Sequence, residues 1–95
     1  MSMHKPPHPG EFIREVYLDP LSISYRAVAL KLHVAPSTFN RLIQGRSNIS
    51  SEMALRLSKT LGRSPESWLA MQSNYNLWEA RKNVNLNEVE KLSIA

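Results

Sequence analysis

Ninety-five residues, 42% apolar and 21% charged, make one ordinary globular domain and argue against a disordered chain. With no cysteine there is no disulfide framework, no Cys-containing zinc site and no thiol nucleophile; no apolar run suits a membrane span or a signal peptide, so the chain reads as cytoplasmic. The net charge is only +4, yet all eight carboxylates lie outside the stretch between Asp19 and Glu52, which holds Arg26, Lys31, Arg41 and Arg46. An acid-free segment carrying the whole net charge suits a polyanion, because each neutralised phosphate releases counterions.

Residues 1–8 are short, Pro-containing and expected to be flexible. Pro9 fits the first position of a helix, with Glu11 favourably near the positive end of its dipole. Phe12, Ile13, Val16 and Tyr17 then share one side, and the Asp19-Pro20 pair is expected to end the helix, since a residue before proline avoids the helical region. Ser24 is a good N-cap for the second helix, with Ile23 placed to staple onto Val28. Behind it Tyr25, Val28, Ala29 and Leu32 follow the spacing of a buried stripe.

After His33-Val34-Ala35, Pro36 opens a third helix whose inner side is Phe39, Leu42 and Ile43, and Gly45 is its left-handed stop. Ser50 or Ser51 caps a fourth helix with Ala54, Leu57, Ser58 and Leu61 inside, ended by Gly62. Ser64-Pro65-Glu66 starts a fifth, in which Trp68, Met71, Tyr75 and Trp78 share a narrow side while Leu69 and Leu77 fall elsewhere. The tail, 82–95, keeps Val84, Leu86, Val89, Leu92 and Ile94; a short strand and a short helix both fit it. The expected fold is therefore all-α: a five-helix domain over 9–81, with a helix-turn-helix over about 24–45 and a short C-terminal tail.

Two short helices joined by about four residues, the second opening with Pro and closing with Gly, match a helix-turn-helix. Ser37, Asn40, Arg41 and Gln44 lie at i, i+3, i+4 and i+7 on the outer side of the second helix, opposite Phe39, Leu42 and Ile43. Arg pairs bidentately with guanine, Asn and Gln with adenine, and Ser reads more permissively. A recognition helix uses its N-terminal part for bases, which favours Ser37, Thr38 and Arg41 over Gln44. The bland alternative is a solvated polar face, and the acid-free segment tips the balance towards DNA. Tyr25 and Arg26, at the start of the preceding helix, are placed for a phosphate, as are Arg46, Ser47 and Asn48 after the recognition helix.

An enzyme is disfavoured. There is no Gly-rich phosphate loop and no nucleophile–base set in a plausible order, and His4, His8 and His33 lack partners at metal-ligand spacing, so neither cofactor nor metal is called for. A pure protein-interaction module is the stronger rival, because the fifth helix carries more apolar surface than one small core covers. Trp78 and Leu77, with Val84 and Leu86 of the tail, are the candidates for a homodimer contact.

Residues 23–45 resemble the helix-turn-helix of the phage-repressor-like superfamily: Ala29 at the tight helix–helix contact, Val34 in the turn, Phe39 and Leu42 in the core. His33 stands where that turn usually has glycine, a position that needs positive φ and that His tolerates at some strain. His8-Pro9-Gly10-Glu11, Asp19-Pro20-Leu21, Met53-Ala54-Leu55-Arg56-Leu57 and Ser64-Pro65-Glu66-Ser67-Trp68-Leu69, followed by Gln72 and Tyr75, further resemble the HigA-type antitoxins over roughly residues 8–81. That resemblance implies a dimer that binds a palindromic double-stranded operator and represses its own operon, and a partner, a RelE-like mRNA-cleaving toxin. A solitary repressor without a toxin is the alternative.

Overall fold

The structure, a computed structural model, describes residues 5–93. His4, Ile94 and the first four residues of the segment expected to be flexible lie outside them. The described chain is helical throughout its body, without strands: α1 (Pro9–Ile13), a π-helical stretch Arg14–Leu18, α2 (Asp19–Leu21), α3 (Tyr25–Leu32), α4 (Pro36–Ile43), α5 (Ser51–Leu61) and α6 (Pro65–Asn83). The first three pieces run on as one rod, so the five expected helices are present.

The rod does not end at Asp19-Pro20. Asp19 is α-helical (φ −65°, ψ −50°), Pro20 takes the first turn of the restarted α ladder, and the stop is Ser22 in the left-handed region (φ 52°). Proline is tolerated where a ladder begins because its missing N–H leaves no bond unmade there. The π stretch also changes which residues face inward. An i→i+5 turn takes more residues per revolution than an α turn, so later side chains lag: Val16 is 45% exposed, and Leu18 is buried beside Ile13 instead.

Beyond this point local signals and structure agree. Ser24, Ser50 and Ser64 each accept a hydrogen bond from the backbone N–H three residues on, at 3.1, 3.1 and 3.0 Å. Pro36 and Pro65 occupy the first turns of α4 and α6. His33 (φ 60°) and Gly45 (φ 77°) adopt the left-handed conformation that closes α3 and α4. Each of these devices satisfies backbone groups that a helix end leaves orphaned.

The core is continuous: Ile13 and Leu18 of the rod, Val28, Ala29 and Leu32 of α3, Phe39, Leu42 and Ile43 of α4, Ile49, Ala54 and Leu57, and Trp68 of α6. Trp68 is fully buried, and its indole N–H donates to the Gly62 carbonyl at 2.9 Å, so the largest core residue leaves no polar atom unpaired. After Asn83 the described tail forms neither strand nor helix, only a turn in which Val89 N–H donates to Leu86 O at 3.0 Å.

Candidate nucleic-acid interface

α4 presents two unlike sides. Phe39, Leu42 and Ile43 are buried, whereas Ser37, Arg41 and Gln44 are exposed and Thr38 and Asn40 are half-buried. Among the described residues none of these five polar side chains hydrogen-bonds to protein. Their donors and acceptors are therefore left to solvent or to a ligand, on a helix whose opposite side is locked in the core.

What fixes α4 is long-range and largely silent in the sequence. Gly10 of α1 lies so close that a Cβ there would fall 1.8 Å from the Leu42 carbonyl oxygen and 2.7 Å from the Ile43 Cα, so the two backbones touch without a side chain between them. Arg14 Nη1 donates to the Ile43 carbonyl at 3.1 Å, capping the C-terminal end of α4. Arg56 does the same for α3, donating to the carbonyls of Leu32 at 2.9 Å and His33 at 3.3 Å, while Glu52 holds its guanidinium at 2.9 Å. Both helices of the motif thus have an arginine from another element on their exposed carbonyls, where cations are favoured. The His8-Pro9-Gly10 and Arg56 positions entered the sequence reading as parts of a pattern; their physical role is to brace the motif.

The loop after α4 is held from both ends. Arg46 N–H donates to Arg41 O at 2.9 Å and Gly45 N–H to Leu42 O at 3.0 Å. At the other end the buried Gln72 of α6 accepts from Ile49 N–H at 2.8 Å and donates to Asn48 Oδ1 at 3.1 Å and to Asn76 Oδ1 at 3.0 Å. Arg46 and Asn48 are exposed and Ser47 is half-buried. The backbone N–H groups of Ser47 and Asn48 make no hydrogen bond within the described residues.

At the start of α3, Tyr25 is half-buried against the core while its hydroxyl accepts from Arg26 Nε at 3.3 Å and its ring lies under the guanidinium at 5.3 Å. Core packing and an outward polar tip coexist in the one side chain.

His8, grouped with the flexible segment by sequence, is 6% exposed and is the N-cap of α1, its Nδ1 accepting from Gly10 N–H at 2.9 Å. Its ring meets Tyr75 edge-on at 5.0 Å. Burial lowers its pKa, against the opposing influence of the Ser47 carbonyl and of Glu11. Its Nε2 has no hydrogen-bond partner, so the Ser47 carbonyl is near enough to favour a charge but not to satisfy the proton.

The residues singled out for dimerisation lie apart from α4, at the far end of α6 and beyond. Leu77, Val84 and Leu86 are 47%, 56% and 64% exposed. Trp78 is half-buried: Tyr75 lies at 6.3 Å, and the ammonium groups of Lys82 and Lys5 sit 4.1 and 5.5 Å from its ring centre. No helix among the described residues is long and apolar enough to cross a membrane.

The helix-turn-helix family model matches residues 13–68. The HTH-type transcriptional regulator YddM of Escherichia coli (strain K12) is 40% identical over 92 residues, 97% of each chain. Antitoxin GraA in complex with its operator superposes with a TM-score of 0.88 at 34% identity, covering 99% of this chain and 98% of that one. Pseudomonas aeruginosa antitoxin HigA with the higBA promoter gives a TM-score of 0.80 at 34% identity, covering 93% and 99%. The chain belongs to the helix-turn-helix family of non-enzymatic, DNA-binding regulators, and its structural neighbours include antitoxins, HigA among them.

Proposed function

We propose that this protein is the antitoxin of a toxin–antitoxin pair: a homodimer that binds palindromic operator DNA through α4, represses its own operon, and neutralises a RelE-like, mRNA-cleaving toxin. The observation that carries the DNA reading is the outer side of α4. Ser37, Asn40 and Arg41 make no hydrogen bond to protein there, yet the helix behind them is braced by a backbone contact at Gly10 and by Arg14. A surface held rigid and left chemically idle is what base readout requires, because little ordering remains to oppose binding. Tyr25 and Arg26 on one side, and Arg46, Ser47 and Asn48 on the other, supply phosphate contacts that fix register without reading sequence. Two copies related by a twofold axis would set their α4 helices about one turn of DNA apart.

Support for a toxin partner comes from the antitoxins among the structural neighbours and from charge. The acid-free segment faces DNA, whereas Glu15, Asp19, Glu66, Glu88 and Glu90 are exposed elsewhere and suit a basic protein. The two roles should therefore separate. The Ser37, Asn40 and Arg41 triple alanine variant is expected to lose binding to the DNA upstream of its own coding sequence. Folded, it is still expected to co-purify with the co-encoded toxin and to restore growth. A folded variant that neither binds DNA nor rescues would place both functions on one surface. A wild type that binds its upstream DNA but has no neighbouring toxin would leave a solitary repressor.

A further inference from the structure

We infer that Gln72, on the helix facing away from DNA, is a positioning residue for phosphate binding: through hydrogen bonds of fixed polarity it turns the amide nitrogen of Asn48 outward. The inference rests on the operator reading above. A backbone N–H can only donate, so the Ile49 N–H at 2.8 Å requires the oxygen of the Gln72 amide. The Gln72 amide nitrogen must then face the two asparagines, and it donates to Asn48 Oδ1 at 3.1 Å and Asn76 Oδ1 at 3.0 Å. With its oxygen engaged inward, Asn48 has only its NH2 group left, and that group has no protein partner among the described residues.

A phosphate accepts hydrogen bonds and donates none at neutral pH, so an asparagine presented nitrogen-first is usable and one presented oxygen-first is not. Free rotation of an exposed amide would spend half its time in the wrong orientation. Gln72 is 5% exposed and has both ends of its amide engaged, so it holds that orientation from inside the fold. Asn48 also sits among the idle backbone N–H groups of its own loop, beside Arg46, where a phosphate would meet several donors together.

The experiment is a double-mutant cycle in DNA affinity, using two duplexes of equal length: the sequence upstream of the coding region and a scrambled one. Asn48→Ala is expected to weaken binding about tenfold on both, the loss of one hydrogen bond to a charged group. Gln72→Met, of similar size without the amide, is expected to weaken both duplexes similarly. In the Asn48→Ala background its further effect is expected to be clearly smaller than in the wild type, because the part that acts through Asn48 is already lost and only the loosened Ile49 N–H remains. A merely stabilising Gln72 would instead give independent, multiplicative losses that follow the folded fraction measured by circular dichroism. That result overturns the inference. So does Asn48→Ala binding with wild-type affinity, which decides the matter even if Gln72→Met fails to fold. If the wild type distinguishes neither duplex nor binds either, the operator reading falls first; if it binds and the variants match it, only the role of Gln72 falls.

Discussion

Trp68, in the first turn of α6, is wholly buried, while Leu77 on the same helix is 47% exposed and the aliphatic residues after it are more exposed still, up to 76% at Leu92. The N-terminal half of α6 closes the core and grips the loop after α4 through Gln72. In the C-terminal half, Tyr75 meets the His8 ring and Trp78 lies beside the ammonium groups of Lys5 and Lys82. Helix formation and burial are thus separately specified along one element. Ser64 and Pro65 start the helix by local capping, which operates whether or not a core is present, but Leu77 and the aliphatic residues of the tail stay exposed among the described residues. The first half of α6 thus helps to brace the loop after α4, and the second half leaves apolar surface uncovered.

The sharpest test of the braced half is Gly10→Ala. On helix propensity alone alanine would stabilise α1 by up to about 1 kcal/mol. The added Cβ would instead collide with the backbone of α4 at Leu42, where no flexible side chain can yield. We expect a loss of about 3 kcal/mol or more in urea denaturation, the range of severe overpacking. A neutral or stabilising result would mean that α1 slides freely and the brace is not one.

That contact marks the limit of what the sequence discloses. Caps and stops at Ser24, Pro36, Gly45, Ser50 and Ser64 are legible because they act within three or four residues. The left-handed His33 was anticipated from its place in the turn. Gly10 against Leu42, Arg14 on Ile43, Arg56 on Leu32 and Gln72 on Ile49 join residues 23 or more positions apart, and nothing in periodicity announces them. The misreading at Asp19-Pro20 has a different cause: a π turn, which no local proline rule foresees, reset the ladder and exchanged Val16 for Leu18 in the core. The outer side of α4 was legible because a polar stripe opposite an apolar one is a local pattern.

The next effects separate binding from folding within the braced half. Arg41→Ala is expected to cost about 1–3 kcal/mol in operator affinity and to relax preference at one base pair, with the unfolding midpoint unchanged because the side chain is exposed. Unchanged affinity of the folded variant in a gel-shift titration would remove Arg41 from the interface. Arg46→Ala is expected to weaken operator and scrambled DNA alike and to lower the salt slope by about one, as for a lost phosphate contact. A loss confined to one base position would put Arg46 in a groove instead.

The uncovered half predicts the opposite pattern. Removing residues 84–95 deletes only side chains that are exposed wherever they are described, so in dilute monomer the unfolding free energy should move by less than about 0.5 kcal/mol. Sedimentation should nevertheless show a smaller dimer population, and DNA binding should depend more steeply on protein concentration. An undisturbed dimer after truncation would move the subunit contact away from the tail, to α6 or the first rod.

A folding effect smaller than that of Gly10→Ala lies where His8 touches Tyr75. Nδ1 accepts the Gly10 N–H, so it carries no proton in the folded state, and protonating it breaks the cap of α1. Burial places the folded pKa below the ordinary value of 6.5. The unfolded chain therefore takes up the proton first as pH falls. The contribution of His8 to stability is complete above about pH 6.5, declines as pH falls from there towards the folded pKa, and is flat below it. Asparagine also caps a helix with its side-chain oxygen and does not titrate in this range. His8→Asn should then cost about 1 kcal/mol or less at pH 8, chiefly the ring contact with Tyr75. It should also remove the part of the pH dependence that begins near 6.5. Urea titrations of both proteins at pH 8 and pH 5.5 measure this directly. Parallel pH dependence in the two proteins would show that the cap survives protonation and that acid acts elsewhere. A flattened dependence in the variant would instead place the acid-sensitive point at the end of α1, next to the glycine on which α4 rests.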